Sequence, residues 1–219
     1  MQIDPATYSF QSPSGFIVLE GVNGAGKSSL QKKLAEQVRN FGKIPLETRQ
    51  PGGSPLGAKI RKLLLEESEE RSHLAELMLF AADRAEHVTK VINPALAAKE
   101  IVLCDRYSYS TTAFQGYGRE LDLELVNTIN SLAVQDCLPD LVILLDLEPE
   151  VGLKRTKSRG HERDSFEEEE LAFHHRLRDG FLNIAQEVKE PFLIVDASQS
   201  EEEVYEYVRP VFQKLLEEL

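Results

Sequence analysis

The chain has 219 residues, enough for one large α/β domain with a sizeable core. Its net charge of −12, from 25 basic against 37 acidic residues, argues against nonspecific nucleic-acid binding and against docking on anionic membranes. Two cysteines without metal-ligand spacing, no secretory pattern in the first fifteen residues and no apolar run long enough to span a bilayer lead to the expectation of a cytoplasmic protein.

Residues 1–14, with Pro5 and Pro13, read as an irregular lead-in. A strand is expected over Gly15–Glu20, then a loop, then a helix from Lys27 to Phe41 with Leu30, Leu34 and Val38 on one side and Gly42 as its stop. Ile44–Thr48 reads as a second strand, and the Gly- and Pro-rich run 49–55 as an irregular loop. Helical patterns cover 57–67 and 71–98, with Pro94 kinking or dividing the latter. Ile101–Asp105 and Leu141–Leu147 are apolar strands, separated by a helical pattern over Asp122–Asp136. A helix from Pro149 to Ser158, another from Phe166 to Lys189, a fifth strand at Phe192–Asp196 and a closing helix at Glu201–Leu216 complete the chain. Strands that are apolar throughout and alternate with helices predict a parallel sheet covered on both faces. The fold class is therefore α/β: a three-layer P-loop NTPase fold with about five strands, one domain over 15–219 and a lid at about 156–166.

The loop between the first strand and helix carries most of the chemistry. Gly21, Gly26, Lys27 and Ser28 fit G-x-x-x-x-G-K-[ST] in the strand-then-helix setting the pattern requires. The segment Gly21, Val22, Asn23, Gly24, Ala25, Gly26, Lys27, Ser28 and Ser29 is expected to wrap the phosphates of ATP at a helix start. Lys27 would reach the β- and γ-phosphates, and the Ser28 hydroxyl would hold Mg²⁺. Asp105 ends an apolar strand where it could bind Mg²⁺ directly or through water. Glu20, at the end of the first strand, is counted with Ser28 and Asp105 as a candidate ligand. Asp146, which ends the fourth strand similarly, reads as structural.

Phosphoryl transfer depends on cations gathered around the moving group. Arg49 and Arg106 follow the second and third strands, on the side of the sheet where open α/β folds bind ligands. Arg155, Arg159 and Arg163 recur every four residues and form either a solvated helix face or part of a lid. Gly160 interrupts the helix, and Ser165 with Glu168 makes a capping box for a restart, so the lid is the favoured reading. Phe80 and Arg84 flank an expected core stripe of Leu74, Leu77, Met78, Ala81, Ala85 and Val88. Either they stack on a base and bond its carbonyl oxygens, or Phe80 belongs to the core and Arg84 pairs with Asp83 or Glu86. Cys104, in an apolar run, reads as a small core residue.

Together these residues resemble the thymidylate kinase family along essentially the whole chain, from Phe16 to about Leu216. The resemblance is carried by FIVLEGVNGAGKSS (16–29), TRQPGGS (48–54), LFAADRAE (79–86), DRYSYSTTAFQGYGREL (105–121) and PDLVILLDLEPEVGLKR (139–155). It implies ATP- and Mg²⁺-dependent transfer of a phosphoryl group to dTMP and, commonly in that family, a homodimer. It assigns Lys27, Arg106 and the lid arginines Arg155, Arg159 and Arg163 to catalysis. Arg49 and Arg106 fall to the acceptor phosphate, Phe80 to stacking on thymine, and Arg84 to its carbonyl. Ser110, Thr111 and Gln115 would line the acceptor pocket.

Several positions depart from the family pattern. Gly24 stands where one branch has an arginine, Asn23 where an acid usually meets the sugar 3′-hydroxyl, and Gln50 where a glutamate is usual. Arg163-Asp164 reverses the usual order in the lid. Two other readings remain: a kinase of the same fold acting on another deoxynucleotide or deoxynucleoside, and a nucleotide-binding regulatory module without transfer. A GTPase switch is disfavoured, because no N/T-K-x-D string occurs.

Overall fold

In the computed structural model, which describes residues 2–4, 8–65, 70–158 and 166–219, five parallel strands form one sheet in the order β2-β3-β1-β4-β5. The strands are β1 (Phe16–Gly21), β2 (Pro45–Arg49), β3 (Ile101–Asp105), β4 (Leu141–Asp146) and β5 (Phe192–Asp196). The register sets Val18 beside Cys104 on one side and Val142 on the other. Every residue of β1 is buried, as are the first five of β4. That is the signature of strands covered on both faces, and it explains their unbroken apolar sequences.

Helix α1 (Lys27–Asn40) packs on β1, β2 and β3 and against α9 (Glu201–Glu217), forming one outer layer. The buried side of α1 is Leu30, Leu34, Ala35 and Val38, the spacing of a single helix face. α9 opens with a capping box: Ser200 Oγ accepts from the Glu203 amide at 3.3 Å, and the Glu203 carboxylate accepts from the Ser200 amide at 3.0 Å.

The other layer is built around α5 (Ser108–Thr111) and a π-helical turn over Thr112–Gly118. Around them pack α3 (His73–His87), α6 (Leu123–Val134) and α8 (Leu171–Glu187), with α2 (Pro55–Leu65) on the far side of α3. Beyond a second π-helical turn at Val88–Ile92, α4 (Asn93–Ala97) leads into β3, and α7 (Pro149–Ser158) follows β4.

Three sequence expectations need correction, and one stretch without an expectation gains a structure. The irregularity in the 71–98 segment is the π-helical turn ahead of Pro94, and the proline itself sits in the first turn of α4, where its missing N–H costs nothing. The helix expected from Phe166 begins at Leu171, and 166–169 form a turn; Ser165, one half of the expected capping box, lies outside the described residues. The stretch 108–118, which carries no clear period, is helical. The stripe expected on α3 is displaced: Leu74 and Met78 are 46% and 50% exposed, while Glu76, Leu77, Asp83, Arg84 and His87 are buried. Periodicity misleads there because the buried side of α3 is largely polar.

Asp146 is structural as expected, held by Arg178 through bonds of 2.7 and 2.9 Å. Cys104 is fully buried, and its thiol pKa is pushed well up by burial. The lead-in is tied down at several points: the Ile3 amide donates to the Phe192 carbonyl at 2.8 Å at the outer edge of β5, the Tyr8 carbonyl accepts from Lys214, and Ser14 Oγ donates to Asp140 at 2.9 Å.

Candidate active site

The phosphate loop leaves β1 through Gly21 and enters α1 at Lys27. Gly21 has φ 134°, and a Cβ on it would lie 2.4 Å from the Leu145 carbonyl oxygen, so only glycine makes this turn. Gly24 (φ 78°) abuts α7, where a Cβ would come within 2.3 Å of the Gly152 carbonyl. No side chain fits at 24, an arginine included, unless α7 moves.

No side chain caps the first turn of α1, the arrangement that leaves helix-start amides to an anion. The Lys27 ammonium is buried and curls back to donate to the carbonyls of Gly21 (3.0 Å) and Val22 (3.1 Å). Val22 and Ala25 turn their side chains into the core, so only their backbone can face a phosphate.

Lys27 and Ser28 form one end of a cavity of about 590 Å³, and Arg49, Phe80, Arg84 and Arg106 line the rest. One cavity therefore joins the phosphate loop to the cations at the ends of β2 and β3. Ser28 Oγ lies 3.4 Å from Asp105 Oδ2, and Asp105 Oδ1 is buried with no hydrogen-bond partner among the described residues. A hydroxyl and a carboxylate from two residues that line the same cavity are a donor set that suits Mg²⁺.

Glu20 does not belong to that set. Its carboxylate is fully buried beneath the loop, where it accepts from the amides of Tyr107 (2.8 Å) and Ser110 (3.1 Å) and from Ser110 Oγ (2.6 Å). It fixes the start of α5, and burial raises its pKa despite the charge of Arg106 nearby. Ser110 lines the cavity, but its hydroxyl is already committed to Glu20 and Arg106.

Arg106 adopts φ 72°, a left-handed conformation that is costly for a residue with a Cβ. Its guanidinium donates to the Gly21 carbonyl (3.0 Å), Ser110 Oγ (3.0 Å) and Asn23 Oδ1 (2.6 Å), and lies 5.0 Å from the ring centroid of Phe114. The strain is held by these contacts and by the Arg106 amide bonding Leu19 at 2.9 Å. Arg49, by contrast, is exposed at the end of β2 and borders the cavity.

Phe80 is half-buried on the cavity wall, while Arg84 is only 2% exposed. The expected alternative for Arg84, a surface ion pair, is excluded by its burial. Three of its five N–H groups are used: Nε on Gln50 Oε1 (2.9 Å), one terminal nitrogen on Asn130 Oδ1 (3.0 Å) and the other on the Tyr107 carbonyl (2.9 Å). Because Arg84 can only donate, it fixes which end of the Gln50 amide is oxygen. The amide nitrogen must then face His87 Nδ1 at 2.9 Å, leaving Nε2 protonated and bonded to Thr48 Oγ1 at 2.7 Å. Burial, with the charge of Arg84 added, lowers the His87 pKa to about 4. His87 is neutral, and Gln50 is the neutral partner that suits it.

Thr111 and Gln115 also reach the cavity. The Thr111 hydroxyl is buried and without a partner among the described residues, and Gln115 donates to Glu76 Oε1 at 3.0 Å. Arg155 does not join this group. It donates to the Ala197 carbonyl at 2.9 Å and lines a second cavity of about 250 Å³ with Gly24, Gly26 and Gln199. Arg159 and Arg163 lie outside the described residues.

Sequence reasoning missed the turn 166–169. Phe166 packs on Phe114 (centroids 5.1 Å) and Phe80 (6.1 Å), Glu167 Oε1 accepts from Asn23 Nδ2 at 3.1 Å, and Glu169 pairs with Arg119. Arg119 also pairs with Glu76 at 3.3 Å and lies over Phe166 and Phe173. A phenylalanine opening a run of glutamates was the signal, but the same string also looks like the start of a helix.

The family model described as thymidylate kinase matches residues 19–208. The chain is 45% identical over 199 residues to a thymidylate kinase of Syntrophotalea carbinolica, covering 87% of this chain and 91% of that protein. It is 49% identical over 189 residues to one from Synechococcus sp., covering 86% and 89%. A crystal structure of thymidylate kinase from Ehrlichia chaffeensis superposes with a TM-score of 0.75 at 32% identity, over 92% of this chain and 99% of that one.

Proposed function

The chain belongs to the thymidylate kinase family and phosphorylates dTMP to dTDP with ATP as donor, and we propose the following division of that work among its residues. ATP places its phosphates on the loop 21–29 at the start of α1, with the Lys27 ammonium turning from the loop carbonyls to the phosphate oxygens. Ser28 and Asp105 would hold Mg²⁺, which would neutralise negative charge on the phosphates. Arg155, at the second cavity, serves the nucleoside end of ATP rather than the transferred group.

dTMP occupies the other end of the large cavity. Arg106 and Arg49 hold its phosphate. Phe80 stacks on thymine, and Arg84 has two N–H groups beyond the three already bonded with which to meet a base carbonyl. The buried Thr111 hydroxyl supplies a further hydrogen bond. Arg159 and Arg163 are assigned to the transferring phosphoryl group on sequence grounds. With cations on both sides of the moving group, the arrangement stabilises charge and positions the acceptor, and no general base is required.

The observation that carries this reading is the single cavity shared by Lys27, Ser28, Phe80 and Arg106. The test is a panel of acceptors with ATP: dTMP, dUMP, dGMP and thymidine, followed by ADP release. dTMP is expected to give the largest kcat/KM; a preference for any other member overturns the acceptor assignment.

A homodimer and a cytosolic setting complete the proposal. Helices α2, α3 and α6 pack in succession, and each carries exposed large apolar side chains: Leu56 and Leu63, Leu74 and Met78, and Leu125 and Leu132. Such surface suits burial against a second copy, and sedimentation at micromolar concentration tests it. Cys104 and Cys137 are both buried and unbridged, which suits a reducing compartment. Among the described residues no helix is long and apolar enough to cross a membrane.

A further inference from the structure

A third cavity, of about 200 Å³, lies between α5, α6 and the carboxyl end of α8, and none of the residues assigned above to ATP or dTMP lines it. It is smaller than the roughly 300 Å³ at which sites for drug-sized ligands begin, so its occupant is small. Tyr109, only 6% exposed, lines this cavity, and its hydroxyl is buried without a partner among the described residues. A buried phenol is ordinarily hydrogen-bonded, and leaving it unpaired is costly. The ring cannot swing out to find a partner, because it is packed edge-on against Phe192 with centroids 5.0 Å apart.

The rest of the lining narrows the ligand's chemistry. Glu187 and Glu190 border the cavity, and among the described residues no lysine, arginine or histidine does. Thr112 Oγ1 spends its proton on Asn127 Oδ1 at 3.2 Å, and Ser131 Oγ spends its own on the Thr128 carbonyl at 2.7 Å, so both hydroxyls offer lone pairs. Val134, Ile184 and Val188 supply an apolar wall. Such a site repels phosphates and carboxylates and suits an ammonium, which has three donors and no acceptor. The cavity also shares a wall with the acceptor site. Asn130 Nδ2 donates to the Ser108 carbonyl (3.1 Å) and to Thr112 Oγ1 (3.0 Å), two residues that line this cavity, while Asn130 Oδ1 accepts from Arg84 at 3.0 Å. We infer that this cavity binds a small organic ammonium ion, an amine on an alkyl or aryl body, and that its occupancy is felt at Arg84 through Asn130. An occupant that fixes Ser108 and Thr112 fixes the Asn130 amide as well, and so pre-organises Arg84 for the acceptor.

The test is calorimetric titration of the full chain with phenethylamine, and with phenylacetate as a similar body of opposite charge. A ligand of about nine heavy atoms should bind with a Kd on the order of 0.1 mM, and phenylacetate should not bind. Tyr109→Phe, which keeps the ring packing, and the double variant Glu187→Gln with Glu190→Gln should each weaken the amine about tenfold. The double variant decides the matter if Tyr109→Phe does not fold. Saturating dTMP should tighten the amine about threefold, and the amine should tighten dTMP by the same factor while leaving the affinity for ATP unchanged. No saturable binding of the amine, equal binding of phenylacetate, or a Kd that the double variant leaves unmoved overturns the site. Amine binding that leaves the affinity for dTMP unchanged overturns the link through Asn130. That link rests on the acceptor reading, and a wild type that binds no dTMP would overturn that reading instead, since the amine's Kd is measured without nucleotide.

Discussion

Gln50 Oε1 accepts from Arg84 Nε at 2.9 Å, and that bond orients two side chains on opposite sides of it. It aims the guanidinium into the acceptor cavity and turns the Gln50 amide nitrogen onto His87. Gln50→Glu would keep the acceptor for Arg84 but replace the donor to His87 with a negative oxygen. The His87 pKa is then expected to rise from about 4 by at least ~1 unit, because a carboxylate in contact favours the imidazolium. Titration of the His87 ring by NMR measures this directly, and an unmoved pKa would show that burial alone sets its value.

Stability should depend on pH through the same ring. The His87 pKa of about 4 in the fold lies below the ordinary value of 6.5, so between them the unfolded chain binds a proton that the native protein refuses. The contribution is complete above pH 6.5 and is lost as pH falls through that window. At 1.36 kcal/mol per unit, on the order of 3 kcal/mol is involved. Urea unfolding of wild type and His87→Gln at pH 7 and pH 4.5 should show the wild type losing more stability between the two; parallel losses would contradict the assignment.

Arg84→Ala should damage both folding and acceptor use. Removing the guanidinium leaves Gln50, Asn130 and the Tyr107 carbonyl without their donor in a buried site, at a cost of about 3 kcal/mol. For a chain of this size that is a Tm lower by roughly 6–12 °C. The KM for dTMP should rise at least tenfold, while the affinity for ATP at a temperature where the variant is folded stays within a factor of about three. Equal loss of both nucleotides would remove Arg84 from the acceptor site.

Arg155→Ala separates the two cavities. Its guanidinium donates to Ala197 and borders the smaller one, so the expected effect is a KM for ATP raised about tenfold with kcat at saturating ATP nearly unchanged. A large fall in kcat with unchanged KM would return Arg155 to the transferring group.

The sheet was legible in the sequence because its strands are apolar on both faces and end in recognisable residues: Asp105, Asp146 and Asp196. The phosphate loop was legible because Gly21 and Gly26 serve backbone geometry and cannot be exchanged freely. The acceptor site was only half legible. Arg49 and Arg106 announce themselves by position after strands, whereas the buried face of α3 defeats periodicity because Asp83, Arg84 and His87 fill it with polar groups. Asn23 looked like a weakened acid in the sequence, and in the fold it is a two-sided amide joining Arg106 to Glu167. That role needs both partners in view, and they are brought together from the ends of β3 and the turn before α8.

Ile3 donates its amide to Phe192, so the beginning of the chain is joined to the last strand of the sheet. On a ribosome adding roughly 5–20 residues per second, the amino terminus waits on the order of ten to forty seconds for its partner to be made. The β1–β3–β2 part of the sheet has all its sequence by residue 105, but the β4–β5 side cannot be finished until synthesis is almost complete. The part of the molecule made first is therefore among the last to find its place. A bulky leader fused ahead of Gln2 would meet the growing sheet at its one late-forming edge, while an addition after Leu219 would not.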